Sequence, residues 1–297
     1  MIKNKEIETL TSLIGTPLRS PWQKNFLNES DVEILKLKKS SLSKNLAITT
    51  DIVSDEIHWG LYKSPFLIGW MSVVVSLSDL AASATSPLGF VMGTHWGKEF
   101  NFKQKKEFYR GVKEALKVHR TFLLGGDTSS GKETVISSTV LGVGMKKVSP
   151  LKRTKINVGD EIYALGSFGN GPALSLRVLL GVKEKFFPEK LFLPIVKFLK
   201  NTKHIKASID VSDGLASSLC IFSEINQVSF DIDIPENFFT PESVQFCHQA
   251  RIPQTALFFA EHGDYQLLVA IDPKKRQKSM VTINFWWRLI QKKDRSF

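Results

Sequence analysis

Thr121-Phe122-Leu123-Leu124-Gly125-Gly126-Asp127-Thr128-Ser129-Ser130-Gly131-Lys132-Glu133 is the stretch on which the fold turns. A short apolar run stops there at two glycines and an aspartate. Read functionally, the run is a strand that delivers Asp127 to a site, with Gly125 and Gly126 letting a ligand approach the backbone. Read plainly, it is a β-turn, and on this stretch alone the turn has the better claim. Gly126 to Lys132 also spells G-x-x-x-x-G-K, but Glu133 stands where a phosphate-binding P-loop needs Ser or Thr for magnesium. A P-loop must open a helix, whereas Thr134 to Val143 is β-branched and roughly alternating and reads as a strand. The expectation is therefore strand, acidic turn, strand, with Lys132 a solvated turn residue.

Around this stretch the chain has 297 residues, 42% of them hydrophobic, enough for two globular domains. Met1 to Leu10 is charged throughout, unlike a signal peptide, and the apolar run Leu67 to Leu77 falls short of the about 20 residues that span a bilayer. A cytoplasmic protein without a membrane partner is expected. Cys220 and Cys247 lie too far apart for a CxxC knuckle, so reduced thiols are expected rather than zinc or a disulfide framework. The net charge is +11, but the lysines are scattered and no aromatic-basic motif accompanies them, so no nucleic-acid partner is expected.

In chain order, Met1 to Asn28 is expected to hold a short helix. Residues Asp31 to Leu35 and Asn45 to Thr50 read as two strands of one hairpin joined by the turn Lys36 to Lys44. From Trp70 the apolar and small residues fall at helical spacing and end before Pro87. Asp79 lies inside this buried helix with no Lys or Arg within four residues, which is costly unless a cation or strong donors neutralise it. Leu88 to Gly93 reads as a strand and Lys98 to His119 as an amphipathic helix, closing a first domain at residue 146. The second domain, 147–297, begins with a basic stretch and the turn Gly159-Asp160. Strand Glu161 to Leu165, a glycine loop and helix Ala173 to Leu180 follow. A helix at Pro194 to Leu199 comes next, then Ala207 to Gly214 leading into helix Leu215 to Ile225. Strands are expected at Phe230 to Ile234 and Tyr265 to Ile271. Beyond Asp272 no sheet continues, so that end is expected to be truncated or divergent.

Asp31, Asp51, Asp79, Asp127, Asp210 and Asp213 each stand near the end of, or inside, an apolar segment, with Thr or Ser as the further oxygen donors nearby. Hard oxygen donors without His or Cys clustering select magnesium over zinc. Were they gathered in one place, so many carboxylates would need several divalent cations to stay ionised, and Mg²⁺ prefers phosphate oxygens as co-ligands. On the residues alone this points to a metal-dependent phosphotransferase.

Thr49-Thr50-Asp51 with His58, Leu77-Ser78-Asp79-Leu80-Ala81-Ala82, Gly125-Gly126-Asp127-Thr128, Ile209 to Leu215 (I-D-V-S-D-G-L) and Gly263 to Leu268 (G-D-Y-Q-L-L) occur in that order and spacing. Over residues 25 to 272 the chain thereby resembles the thiamine-monophosphate kinase family of the AIR-synthase-like (PurM) superfamily. The resemblance implies an α/β fold of two domains, the first pairing across a homodimer through its sheet. It implies phosphorylation of thiamine monophosphate to thiamine diphosphate by ATP, with several Mg²⁺ ions and no covalent intermediate. Asp31, Thr49, Thr50, Asp51, Asp79, Asp127, Asp210 and Asp213 would be metal ligands. Tyr109, Gly126, Asp127, Arg153 and Ser212 would contact ATP, and His58 and Asp264 the acceptor. Selenophosphate synthetase and AIR synthase share the fold, but this chain has no Cys near its N-terminus for the former. Two motifs depart from the family. Glu29-Ser30-Asp31-Val32-Glu33 stands for G-D-D-A-A, and Gly263 occupies the place of a substrate-contacting glutamate, for which Glu261 or Asp264 would have to substitute. Another ATP-using enzyme of the superfamily, or an inactive nucleotide-binding homologue, is the alternative those departures suggest.

Overall fold

The computed structural model describes residues 24, 29–35, 45–144, 149–182, 193–199, 202–275 and 286–288. The expected N-terminal helix, the 36–44 turn and the 146/147 boundary lie outside them. The first sheet contains β1 (Glu33–Leu35), β2 (Leu46–Val53), β3 (Thr85–Trp96), β4 (Leu123–Ser130) and β5 (Val135–Gly144), in the order β1-β2-β5-β3-β4. The expected hairpin is present, with Leu35 opposite Leu46. Along β5 buried and half-buried residues alternate, the period-2 signature of a sheet packed on one face.

The opening stretch differs from the expectation. β4 runs straight through Gly125, Gly126 and Asp127, which pair in parallel with Val91, Met92 and Gly93 of β3. The turn comes later, at residues 131–134. A Cβ on Gly126 would sit 2.0 Å from the Met92 carbonyl oxygen, so the glycine serves close strand pairing. β5 follows as a strand, as expected, and no P-loop helix forms.

Two helices follow from capping and pattern. In the first, α1 (Asp55–His58) is a single turn, and then Ser64 caps α2 (Pro65–Ala82) by accepting from the Leu67 N–H, with Pro65 in the first turn. Apolar around its whole circumference, α2 is the central helix of the molecule. It packs on β2, β3 and β5, on α3 (Phe102–His119), and at its far end on the second sheet. Its length and apolarity match a membrane span, but 83% of it is buried inside the protein, so it is a core helix.

The second sheet orders as β7 (Ile205–Asp210), β8 (Leu267–Ile271), β6 (Glu161–Leu165) and β9 (Trp286–Arg288), with antiparallel neighbours. Around it lie α4 (Asn170–Leu179), α5 (Leu215–Asn226), α6 (Pro241–Ala250) and α7 (Thr255–Phe259). Three expectations are corrected here. The expected helix at Pro194 to Leu199 does not form, because tertiary bonds claim backbone groups of the segment. Trp70 Nε1 donates to the Pro194 carbonyl at 3.2 Å, and the Val196 N–H donates to His119 Nε2 at 3.0 Å. Among the described residues Phe230 to Ile234 belongs to neither sheet; Ile232 makes a single bridge, and Phe230 and Ile234 rest half-buried on the core. The second sheet does continue beyond Asp272, because β9 pairs with β6. β8 starts at Leu267 because Tyr265 adopts a left-handed backbone, φ 55°, which no strand accommodates.

Candidate active site

Where α2 runs out between the two sheets, carboxylates from distant segments meet. Asp31 precedes β1, Asp79 lies in the last turn of α2 and Asp210 ends β7, and each offers an oxygen within 4.8 Å of the others. The consecutive residues Ser78 and Asp79 reach different partners. Ser78 Oγ donates to Asp210 Oδ2 at 2.8 Å, while Asp79 Oδ2 accepts from Thr49 Oγ1 at 2.6 Å. The Arg153 guanidinium pairs with Asp31, and its backbone N–H donates to the Glu29 carbonyl at 2.9 Å.

One guanidinium is too little for this much negative charge. Burial pushes the Asp79 carboxyl well above its usual range, and the charges of Asp51 and Asp210 push it further. Burial likewise lifts Asp51 to about 6, against the Ser76 hydroxyl, with Asp210, Asp213 and Glu56 adding repulsion. Asp210 is raised by burial, while Arg153 and Ser78 pull it back. Asp51 Oδ2 is buried without a hydrogen-bond partner. An all-oxygen set with an orphaned carboxylate oxygen fits a hard divalent cation.

The cluster opens into a cleft of about 1310 Å³ lined by residues of both sheet units, Asp51, Asp79, Asp210, Ser212 and Asp213 among them. Other candidates lie elsewhere. Thr50 points away from Asp79 and shares a 2.9 Å hydrogen bond with Thr139 Oγ1. His58 is exposed on α1 and does not line the cleft, although Glu56 and Trp59 do. Gly126 and Asp127 sit on β4, whose residues are all exposed. Through the pairs Asp127–Gly93, Gly93–Ser137 and Ser137–Ile52, Asp127 stands three strands from β2, a separation of ~14 Å at ~4.8 Å per strand. Tyr109 lies on α3, edge-on to Trp96 at 6.1 Å, and Trp96 Nε1 donates to Thr128 Oγ1 of β4.

Asp264 lies outside this cleft. Its carboxylate accepts from the Gly169 and Gly171 N–H groups, both at 2.7 Å, and holds the start of α4. Gly263 is dictated by packing, since a Cβ there would lie 1.9 Å from the Val211 carbonyl oxygen. Glu261, exposed and lining the cleft, is the acid of this loop that faces the ligand space.

Sequence reasoning passed over Glu56, Trp59, Phe259 and His262, all of which line the cleft. His262 Nε2 lies 3.3 Å from the buried Tyr62 Oη, and burial lowers its pKa to about 4, so the ring is neutral at pH 7. Adjacency to the acidic motifs was the available signal: Trp59 follows His58, and Phe259 to His262 precede the G-D-Y triplet.

The family model for the AIR synthase related protein, N-terminal domain, matches residues 30–144. The thiamine-monophosphate kinase of Aquifex aeolicus is 29% identical over 246 residues, covering 79% of this chain and 78% of that protein. That of Methanocaldococcus jannaschii is 28% identical over 260 residues, covering 81% and 78%. Among solved structures, a crystal structure of the Aquifex aeolicus kinase aligns with a TM-score of 0.75 at 21% identity, covering 97% of this chain and 94% of that one. A structure of AaThiL complexed with AMPPCP and TMP aligns at 0.74 and 23% identity, covering 98% and 92%. The Escherichia coli hydrogenase maturation protein HypE aligns at 0.63 and 17%, covering 96% and 90%. At these identities the structures establish the shared fold.

Proposed function

We propose that the chain phosphorylates thiamine monophosphate with ATP, a reading supported by the AIR-synthase-related model over residues 30–144 and by its similarity to the thiamine-monophosphate kinases. The observation that carries this reading is the meeting of Asp31, Asp79 and Asp210 at a cleft large enough for two substrates. The bond between the γ-phosphorus of ATP and its bridging oxygen breaks, a phosphate oxygen of the acceptor forms the new bond, and ADP leaves. No side chain has to act as nucleophile, so catalysis reduces to alignment and charge neutralisation. Asp31, Asp51, Asp79, Asp210 and Asp213, with Thr49, would hold Mg²⁺, which would supply charge neutralisation for the phosphates. Thr49 and Ser78 orient the carboxylates they bond. Arg153, a planar fork that stays charged at working pH, neutralises Asp31 and would donate to phosphate, and Ser212 lines the cleft.

Asp127, Gly126 and Tyr109 belong in this reading to a homodimer. β4 is an exposed edge strand and the place for a second copy to pair, bringing its Asp127 toward the first copy's cleft. The reading further divides the chain into domains near residue 146 and places the protein in the cytoplasm. Incubating the protein with thiamine monophosphate, ATP and Mg²⁺ should yield thiamine diphosphate and ADP in equal amounts. ATP consumption without thiamine diphosphate would instead favour another acceptor.

A further inference from the structure

Among the described residues, the large apolar side chains more than 60% exposed are Ile52 (62%), Trp59 (66%), Phe102 (75%), Phe122 (67%), Leu179 (80%) and Phe259 (67%). Four of these six, Ile52, Trp59, Leu179 and Phe259, line the one cleft that holds the acid cluster. They come from both halves of the chain: Ile52 and Trp59 from β2 and the end of α1, Leu179 and Phe259 from the ends of α4 and α7. Their backbones are anchored although their side chains are not covered. The Trp59 N–H donates to the Asp55 carbonyl at 2.8 Å, and Phe259 stands edge-on, at 4.9 Å, to the buried Phe258. Apolar surface gathered in a concave site is surface kept for a ligand.

The charge of the cleft says what kind of ligand. The chain carries +11, yet among the described residues no Lys or Arg lines this cleft, while Asp51, Asp55, Glu56, Asp79, Asp210, Asp213 and Glu261 do. Phosphate-bound cations account for the buried members at one end. Asp55, Glu56 and Glu261 remain beside the aromatic residues, where a nucleotide's phosphates would be repelled and an organic cation drawn in. An aromatic face attracts a cationic ring through its quadrupole, worth about 0.5–2 kcal/mol as the ring is desolvated.

We propose that Trp59 and Phe259 form an aromatic clamp for a flat, positively charged heteroaromatic ring of the acceptor, with Glu56 and Glu261 as its counter-charges. The inference rests on the phosphotransfer reading for the identity of the acceptor, and assigns its ring to Trp59 and Phe259 instead of to His58 and Asp264. The acceptor's phosphate then points along the cleft toward Asp79 and Asp210, and ATP approaches from the opposite side.

The test is steady-state kinetics on Trp59→Ala, Phe259→Ala and the double variant, varying thiamine monophosphate and ATP separately. KM for thiamine monophosphate should rise roughly tenfold or more in the double variant while KM for ATP stays unchanged, and Trp59→Phe should restore most of the loss. An acceptor KM within twofold of the parent, or a parallel rise in KM for ATP, overturns the clamp. The kinase reading is separated by a binding arm: thiamine monophosphate should quench tryptophan emission in the parent protein and lose most of that quench in Trp59→Phe. Quenching without thiamine diphosphate formation would sink the kinase reading and leave the clamp standing. No quenching, or equal quenching in the variant, would sink the clamp whatever the activity.

Discussion

Asp79 and Asp127 look alike in the sequence: each is an aspartate at the end of a small, apolar run, Leu77-Ser78-Asp79 and Gly125-Gly126-Asp127. The fold treats them differently. Asp79 rides on the one helix that passes between both sheets, so at its end three other segments converge and its oxygen meets those of Asp31 and Asp210. Asp127 rides on the edge strand of the first sheet, where among the described residues no other segment ends beside it and every residue of the strand is exposed. A carboxylate becomes part of a metal site through the number of elements ending around it. The residues that precede it decide much less.

The sharpest way to break this contrast is Asp79→Asn. Removing a central carboxylate should lower turnover by about 10²–10³, the range found when one preorganised charge-stabilising group is lost. The metal-free variant should nonetheless melt higher than the parent at pH 8, because the amide has no buried charge for Asp51 and Asp210 to repel. Differential scanning fluorimetry with EDTA and with Mg²⁺ checks both parts: the metal should raise the melting temperature of the parent and leave the variant unmoved. Turnover within tenfold of the parent would mean that the convergence at Asp79 is not the site.

A somewhat smaller effect should appear in the pH dependence of the metal-free protein. Asp51 has a folded-state pKa of about 6, above its ordinary 3.8, so between those values the folded state holds a proton that the unfolded chain releases. Its stabilising contribution is complete below pH 3.8 and is lost as pH rises through 6, amounting to at most about 3 kcal/mol. Urea unfolding of the parent and of Asp51→Asn from pH 4 to 7.5, both in EDTA, reads the contribution of Asp51 together with the repulsion it exerts on Asp79, while His262 is common to both. The parent should lose stability relative to the variant across that window. Parallel curves would mean that Asp51 lies in a solvated environment.

Much of this was legible from local pattern. The alternation in β5, the apolar helix α2 from Trp70 onward and the turn before β6 follow from periods and turn residues that neighbouring residues determine. Asp79 was singled out because a lone carboxylate in an apolar helix is costly, a physical signal that needs no partner in view. The misreadings share one cause, tertiary context. Gly125-Gly126 looks like a turn until β3 is placed beside it, and Pro194 to Leu199 looks helical until His119 and Trp70 claim its backbone groups. For Trp59 and Phe259 the sequence offers only adjacency to acidic motifs, a weak signal because an aromatic residue is ordinarily core, and exposure inside a cleft is what marks these two.

The smallest expected effect tests the edge-strand half of the contrast. Asp127→Asn should reduce turnover about tenfold and leave unfolding free energy within about 0.5 kcal/mol, as for an exposed site away from the core. The informative experiment mixes this variant with Asp79→Asn under conditions that exchange subunits. If Asp127 serves the cleft of a second copy, a mixed dimer contains one site built from an intact cleft and an intact Asp127, and activity should recover above the sum of the separate variants. If it serves its own copy's cleft, every site in the mixture carries one lesion and no recovery follows. The ~14 Å between Asp127 and β2, three strand spacings across the same sheet, favours recovery. Its absence would confine the catalytic site to a single chain and require the nucleotide itself to span the sheet from β4 to the carboxylates around Asp79.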